Sequence, residues 1–133
     1  MTDQTPKKWS EAKRGQNVIA DKAMDFSLNV VRLYTTLPKR EEARVMGHQI
    51  LRSATSAGAQ YSEACRARSN PEFISKLESA LQELDESSYW ICLMGRSGCG
   101  PDAVLEENYY LCEELIRMMV ASVRTVKQRS AKP

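Results

Sequence analysis

The chain is poor in the residues that most chemistry needs. It has one histidine, His48, and four cysteines, and only 7 % of its 133 residues are aromatic. A single histidine does not furnish a nucleophile-and-base pair plus a metal ligand set. None of Cys65, Cys92, Cys99 and Cys112 forms a C-x-x-C pair, so the short ligand spacing of structural zinc is missing. Long apolar runs are also missing. No segment approaches the ~18 apolar residues of a membrane span. Residues 1–15 have no apolar stretch behind their lysines, so they do not read as a secretory leader. A cytoplasmic protein is therefore expected, with buried, inert thiols rather than disulfides. With five prolines, 42 % hydrophobic and 27 % charged residues, the chain reads as one folded domain with one core.

No alternating strand pattern occurs. Four helical patterns do. The first spans about 17–37, with Ile19, Ala23, Phe26, Val30, Leu33 and Leu37 on one face. Pro38 ends it. The second spans about 40–67, with Met46, Ile50, Ala54, Ala57, Tyr61 and Ala64 as its stripe. Residues 53–59 of that helix contain no large side chain, and Gly58 costs about 1 kcal/mol of helix propensity. A close helix approach, within the bundle or from a second subunit, would offset that cost; a kink is the other reading. The third helix starts at a cap. Either Asn70 caps with Pro71 next, or Ser69 caps and Glu72 completes a capping box. Its stripe is Phe73, Leu77, Ala80, Leu84, Ser87, Ile91 and Met94, and Gly95 marks its end. The fourth spans about 102–127, with Leu105, Tyr109, Cys112, Ile116, Met119, Val123 and Val126.

Spacings alternating four and three in every segment predict shallow helix crossings, as in an all-α four-helix bundle. The bundle domain is expected over 16–128, with tails at 1–15 and 129–133. Tyr61 and Tyr109 are read as core. Helices three and four carry extra apolar residues, among them Trp90, Leu111, Leu115 and Val120. They predict a subunit interface, or else a wider monomer core. A helix-three/helix-four hairpin would set Cys92 level with Leu105 and Cys112 level with Asp85. The two thiols are then about 10 Å apart along the axis and out of disulfide reach.

Charge is unevenly spread. Residues 7–76 carry 13 Lys/Arg against 7 Asp/Glu, a net of +6. Residues 77–114 carry one base, Arg96, against nine acids, a net of −8. Residues 115–133 carry five bases and no acid. Adjacent carboxylates such as Glu41–Glu42 and Glu113–Glu114 point about 100° apart on a helix, so they are not acid/base pairs. A di-metal site would want Glu-x-x-His motifs, and no glutamate stands three residues before His48. No glycine-rich loop follows a strand. No catalytic or metal residues and no cofactor are predicted.

The bases are the remaining lead. Arg52, Arg66, Arg68 and Lys76 are candidate phosphate contacts for RNA or DNA, with Lys7, Lys8, Lys13 and Arg14 at one terminus. At the other terminus stand Arg124, Lys127, Arg129 and Lys132. For Arg52 a second reading stands beside this one: an ion pair with Glu83 or Glu86 that fixes helix register. The acidic run instead favours a scaffold for an unidentified protein partner, with no nucleic-acid role.

The run Gln49-Ile50-Leu51-Arg52-Ser53-Ala54-Thr55-Ser56, then Glu63-Ala64, Arg68-Ser69 and Glu72-Phe73-Ile74, resembles the four-helix bundle family of the 23S rRNA intervening-sequence protein. Ala80-Leu81-Gln82-Glu83-Leu84-Asp85-Glu86-Ser87-Ser88-Tyr89-Trp90 and Glu113-Glu114-Leu115-Ile116-Arg117 extend the likeness over about 20–128. The chain departs from the family pattern at Gln60, where an asparagine is usual, and at Ala64, where a glycine is usual. The resemblance implies an antiparallel, left-handed up-and-down bundle that assembles as a ring-like homopentamer, and no known reaction. A similar accessory protein of diversity-generating retroelements is a basic pentamer that works with a reverse transcriptase and its RNA. By that analogy the chain is expected to be a non-catalytic nucleic-acid accessory factor.

Overall fold

The computed structural model describes residues 9, 11–15 and 17–131. Among these, four long helices form and no strand does: α1 (Val18–Thr35), α2 (Glu41–Ala64), α3 (Asn70–Ser97) and α4 (Asp102–Ala131). Each helix packs on its sequence neighbours, and α1 closes the ring against α4, while the backbones of the diagonal pairs stay further apart. Paired residues run in opposite directions along successive helices. Asn17 meets Tyr61 while Ser27 meets Ala54. Lys76 meets Glu63 while Ser87 meets Ser53. Asn70 meets Ser130 while Ser88 meets Glu113. The result is an antiparallel up-and-down bundle.

The predicted stripes make the core. Phe26, Val30, Leu33, Ile50, Leu77, Leu84, Met94 and Met119 are almost wholly buried. On α4 the core keeps Leu105, Cys112, Met119 and Val123 but shifts by one residue at two positions. Asn108 and Leu115 are buried, whereas Tyr109 and Ile116 sit half-buried at its edge. Asn108 tolerates this place by donating from Nδ2 to the Val104 carbonyl at 2.9 Å, although its Oδ1 has no partner. Trp90, Leu93, Val104 and Leu111 pack against the core edge, while Tyr89, Tyr110 and Val120 stay exposed on α3 and α4. An exposed apolar row also lies on α1: Met24, Leu28 and Val31, 47 %, 39 % and 44 % exposed, at the i, i+4, i+7 spacing of one helix face.

The helix signals resolve locally. Ser69 caps α3, its Oγ accepting from Glu72 N at 3.2 Å. Glu72 reaches one residue further back than the standard box, accepting from Arg68 N at 2.7 Å. Gly98, with φ 71°, ends α3 in the left-handed conformation that favours glycine. Asn17 caps α1 through Ala20 N at 2.7 Å and also accepts from the Tyr61 hydroxyl at 3.2 Å. The small-residue stretch of α2 is where α1 approaches. A Cβ on Gly58 would lie 3.0 Å from Ser27 Oγ, and Ser27 donates to the Ala54 carbonyl at 3.4 Å. The contact is within the bundle. α4 runs past Lys127 to Ala131.

The four thiols are free, and they divide. Cys99 and Cys112 are buried as expected, but Cys65 and Cys92 are exposed, because they fall off the core stripes of α2 and α3. Cys112 donates to the Leu84 carbonyl at 3.3 Å, the level the hairpin register requires. Burial pushes its thiol up to about 12.

Candidate functional site

Two polar regions stand out, and they separate the four candidate bases. The first is a seam along the groove between α2 and α3. Arg52 grips Glu83 with both arms of its guanidinium, at 3.2 and 3.1 Å, and reaches Glu86 at 2.7 Å. The two carboxylates also draw on neutral donors. Ser56 donates to Glu83 at 2.9 Å, and Trp90 Nε1 donates to Glu86 at 3.1 Å. Hydrogen bonds donated to the two carboxylates raise the Arg52 pKa, and Arg52 in turn holds the Glu86 carboxyl below its usual value. Two turns along the seam, Lys76 pairs with Glu63 at 2.8 Å. Beneath it the buried hydroxyls of Ser53 and Ser87 lie 2.8 Å apart. Gln60 donates to Ser56 at 3.4 Å, but its Oε1 is buried without a partner. Each end of this seam matches a base to a carboxylate. Its geometry fixes how α2 and α3 slide against each other.

The second region is one end of the bundle. There the α2–α3 connection, which holds Arg66 and Arg68, meets the last turns of α4, which hold Arg124, Lys127 and Arg129. Asn70 Nδ2 binds Ser130 Oγ across this end at 3.0 Å. Lys13 Nζ reaches Ser62 at 3.3 Å, bringing the N-terminal residues to the same place. Lys127 pairs with Glu78 at 3.2 Å. Arg66, Arg68, Arg124 and Arg129 are exposed, and none of their guanidinium groups is in an ion pair among the described residues, although Glu72 accepts from the Arg68 backbone N–H. Basic side chains at the last turn of α4 are also favoured by the negative end of its helix dipole. Lys7, Lys8 and Lys132 lie outside the described residues.

Thus Arg66 and Arg68 come together with Arg129 from the far end of the chain; Lys76, paired with Glu63 one turn before Arg66, borders this end, while Arg52 lies apart in the seam. The convergence follows from topology: in an up-and-down bundle the end of α2 and the end of α4 lie side by side. The acidic run divides: Glu83 and Glu86 lie in the seam and Glu78 and Glu114 pair with lysines, while Asp85, Glu106 and Glu107 are exposed on the outer surface of α3 and α4. Among the described residues no group of three or more His, Cys, Asp or Glu is placed to hold a metal ion. No helix among them is long and apolar enough to cross a membrane.

The comparisons agree with this architecture and name no catalytic family. No curated protein matches the chain. A crystal structure of a protein with unknown function from the S23 ribosomal protein family of Bacteroides thetaiotaomicron is similar, with 35 % identity and a TM-score of 0.75. The match covers 80 % of this chain and 98 % of that one. The family described as 23S rRNA-intervening sequence protein matches over residues 15–121. On both grounds, the chain belongs to the 23S rRNA-intervening sequence protein family.

Proposed function

We propose that this protein is a non-catalytic, cytoplasmic accessory factor that binds RNA or DNA through the basic end of its bundle. The observation that carries the reading is the convergence of Arg66, Arg68 and Arg129 from two distant stretches of chain, their side chains in no ion pair among the described residues. Exposed arginines of this kind suit phosphate oxygens, which they contact in pairs. They position a nucleic acid without reading its sequence. Arg52 and Lys76, committed to carboxylates, contribute register instead. The test is fluorescence anisotropy on a structured RNA hairpin across a salt series. Four phosphate contacts give a slope of log K against log salt of about −3. A flat response, or no binding at about 50 mM salt, refutes the reading.

The same proposal includes assembly as a homopentamer, with the Met24–Leu28–Val31 row of α1 in the subunit contact. Repetition of the basic end around a ring would multiply its field. Light scattering should then give a mass near five times 15.0 kDa, and a mass near 15.0 kDa refutes the assembly.

The acidic outer surface of α3 and α4 favours a second reading, a scaffold for a protein partner with no nucleic-acid role. Retention of one specific protein in a pull-down after nuclease treatment, together with no RNA binding, selects it.

A further inference from the structure

At the opposite end of the bundle, the corner between α1 and α2 encloses a pocket of about 440 Å³. That size suits a small ligand. Its walls include Tyr34, Pro38, Lys39, Arg40, Glu41 and Arg44. The half-buried Tyr34 ring stacks on the exposed imidazole of His48, with centroids 5.5 Å apart and planes 19° from parallel. This platform is built in. Gly47 is buried inside α2, where glycine weakens a helix, and a Cβ there would lie 2.5 Å from Leu37 Cδ1 and 3.1 Å from Tyr34 Cδ1. Glycine therefore lets both side chains lie flat against α2.

The cations of the pocket differ in their commitments. Arg40 is anchored across the bundle end, donating to the Gly98 carbonyl at 3.2 Å and to Cys99 Sγ at 3.3 Å. Lys39 has no ion-pair partner among the described residues. Arg44 stands 4.0 Å from Glu41 with both side chains mostly exposed, a contact of little strength. Two weakly committed cations thus line the pocket with the Tyr34 ring.

We infer that this corner binds a phosphorylated nucleoside, its base stacked on Tyr34, which rests on His48, and its phosphate held by Lys39 and Arg44. Stacking alone would accept any flat apolar ring, and the cations alone any anion; only a ligand with both parts uses the whole pocket. The site is separate from the arginine end. The same chemistry comes from a free nucleotide or from one unit of an RNA strand.

The test is NMR titration of the full chain with adenosine 5′-monophosphate, adenosine and inorganic phosphate, read at the ring protons of His48 and Tyr34. The monophosphate is expected to shift both rings at concentrations up to about 10 mM, with the other two probes weaker by roughly tenfold. The double variant K39A/R44A should weaken the monophosphate roughly tenfold while leaving the melting temperature unchanged. Ring protons that do not move, or the same titration curve in K39A/R44A, overturn the inference. A 5′-phosphorylated tetranucleotide that outcompetes the monophosphate assigns the site to an RNA strand. The reverse order assigns it to a free nucleotide, and either order supports the pocket.

Discussion

Arg52→Ala tests whether the seam is structural. The side chain is half exposed, and its partners Glu83 and Glu86 are 18 % and 37 % exposed. An isolated surface pair would be worth at most about 1 kcal/mol. Arg52 makes three charge-assisted hydrogen bonds to two carboxylates, and Ser56 and Trp90 hold those carboxylates in place, so less side-chain entropy is lost in forming them. Discounting for solvent exposure, truncation should cost about 2 kcal/mol. For a domain of this size that lowers the melting temperature by roughly 7 °C. Arg52→Lys keeps the charge but not the fork, so it should recover less than half the loss. The Glu86 carboxyl is held below its ordinary 4.5, first by Arg52 and then by Trp90. A depressed folded-state pKa contributes stability that is present above the unfolded value and lost as pH falls through the folded one. The gap between wild type and R52A should therefore be full at pH 7 and shrink below about pH 4.5. Thermal melts followed by circular dichroism between pH 3 and 7 read both effects. A change under about 1 °C at pH 7, or a gap that persists into acid, refutes the reasoning. RNA affinity of R52A at matched salt should equal that of the native chain.

Three further outcomes follow from local geometry. Asn17→Ala removes the α1 cap and the acceptor of the Tyr61 hydroxyl together, and should cost about 1–2 kcal/mol by urea denaturation. Ser69→Ala should cost about 1 kcal/mol, since Glu72 retains its bond to Arg68 N; a neutral effect would mean that α3 starts elsewhere. In thiol labelling at pH 8, the exposed Cys65 and Cys92 should react promptly. Cys99 and Cys112 should react only at the rate of unfolding. Four equal rates would contradict the burial pattern.

The fold was legible because every helix repeats its apolar residues at four-and-three spacing, and Pro38 and Ser69 punctuate the chain where helices stop or start; α3 runs two residues past the expected end at Gly95, to Ser97, where Gly98 caps it. The α4 register was misread by one position at Asn108. A buried amide interrupts the apolar pattern, and Tyr109 beside it offers a larger hydrophobic signal. Exposure of Cys65 and Cys92 was missed because cysteine is usually buried, although neither falls on a stripe. The pairing of Arg52 with Glu83 and Glu86 was foreseeable as one of two readings. The choice between them needed the distances. Convergence of Arg66 and Arg68 with the end of α4 follows from helix count and topology, not from any local motif. The seat that Gly47 makes for Tyr34 had one sequence signal, a glycine inside a helix, and it is weak without a neighbour to explain it.

The most direct test of the account is the RNA affinity of the double variant R66E/R68E relative to the native chain, at one fixed salt concentration. Reversal of two exposed charges that pair with nothing should leave the melting temperature unchanged and weaken binding by roughly tenfold or more. Equal affinity in a folded variant would contradict the claim that the basic end carries the nucleic acid.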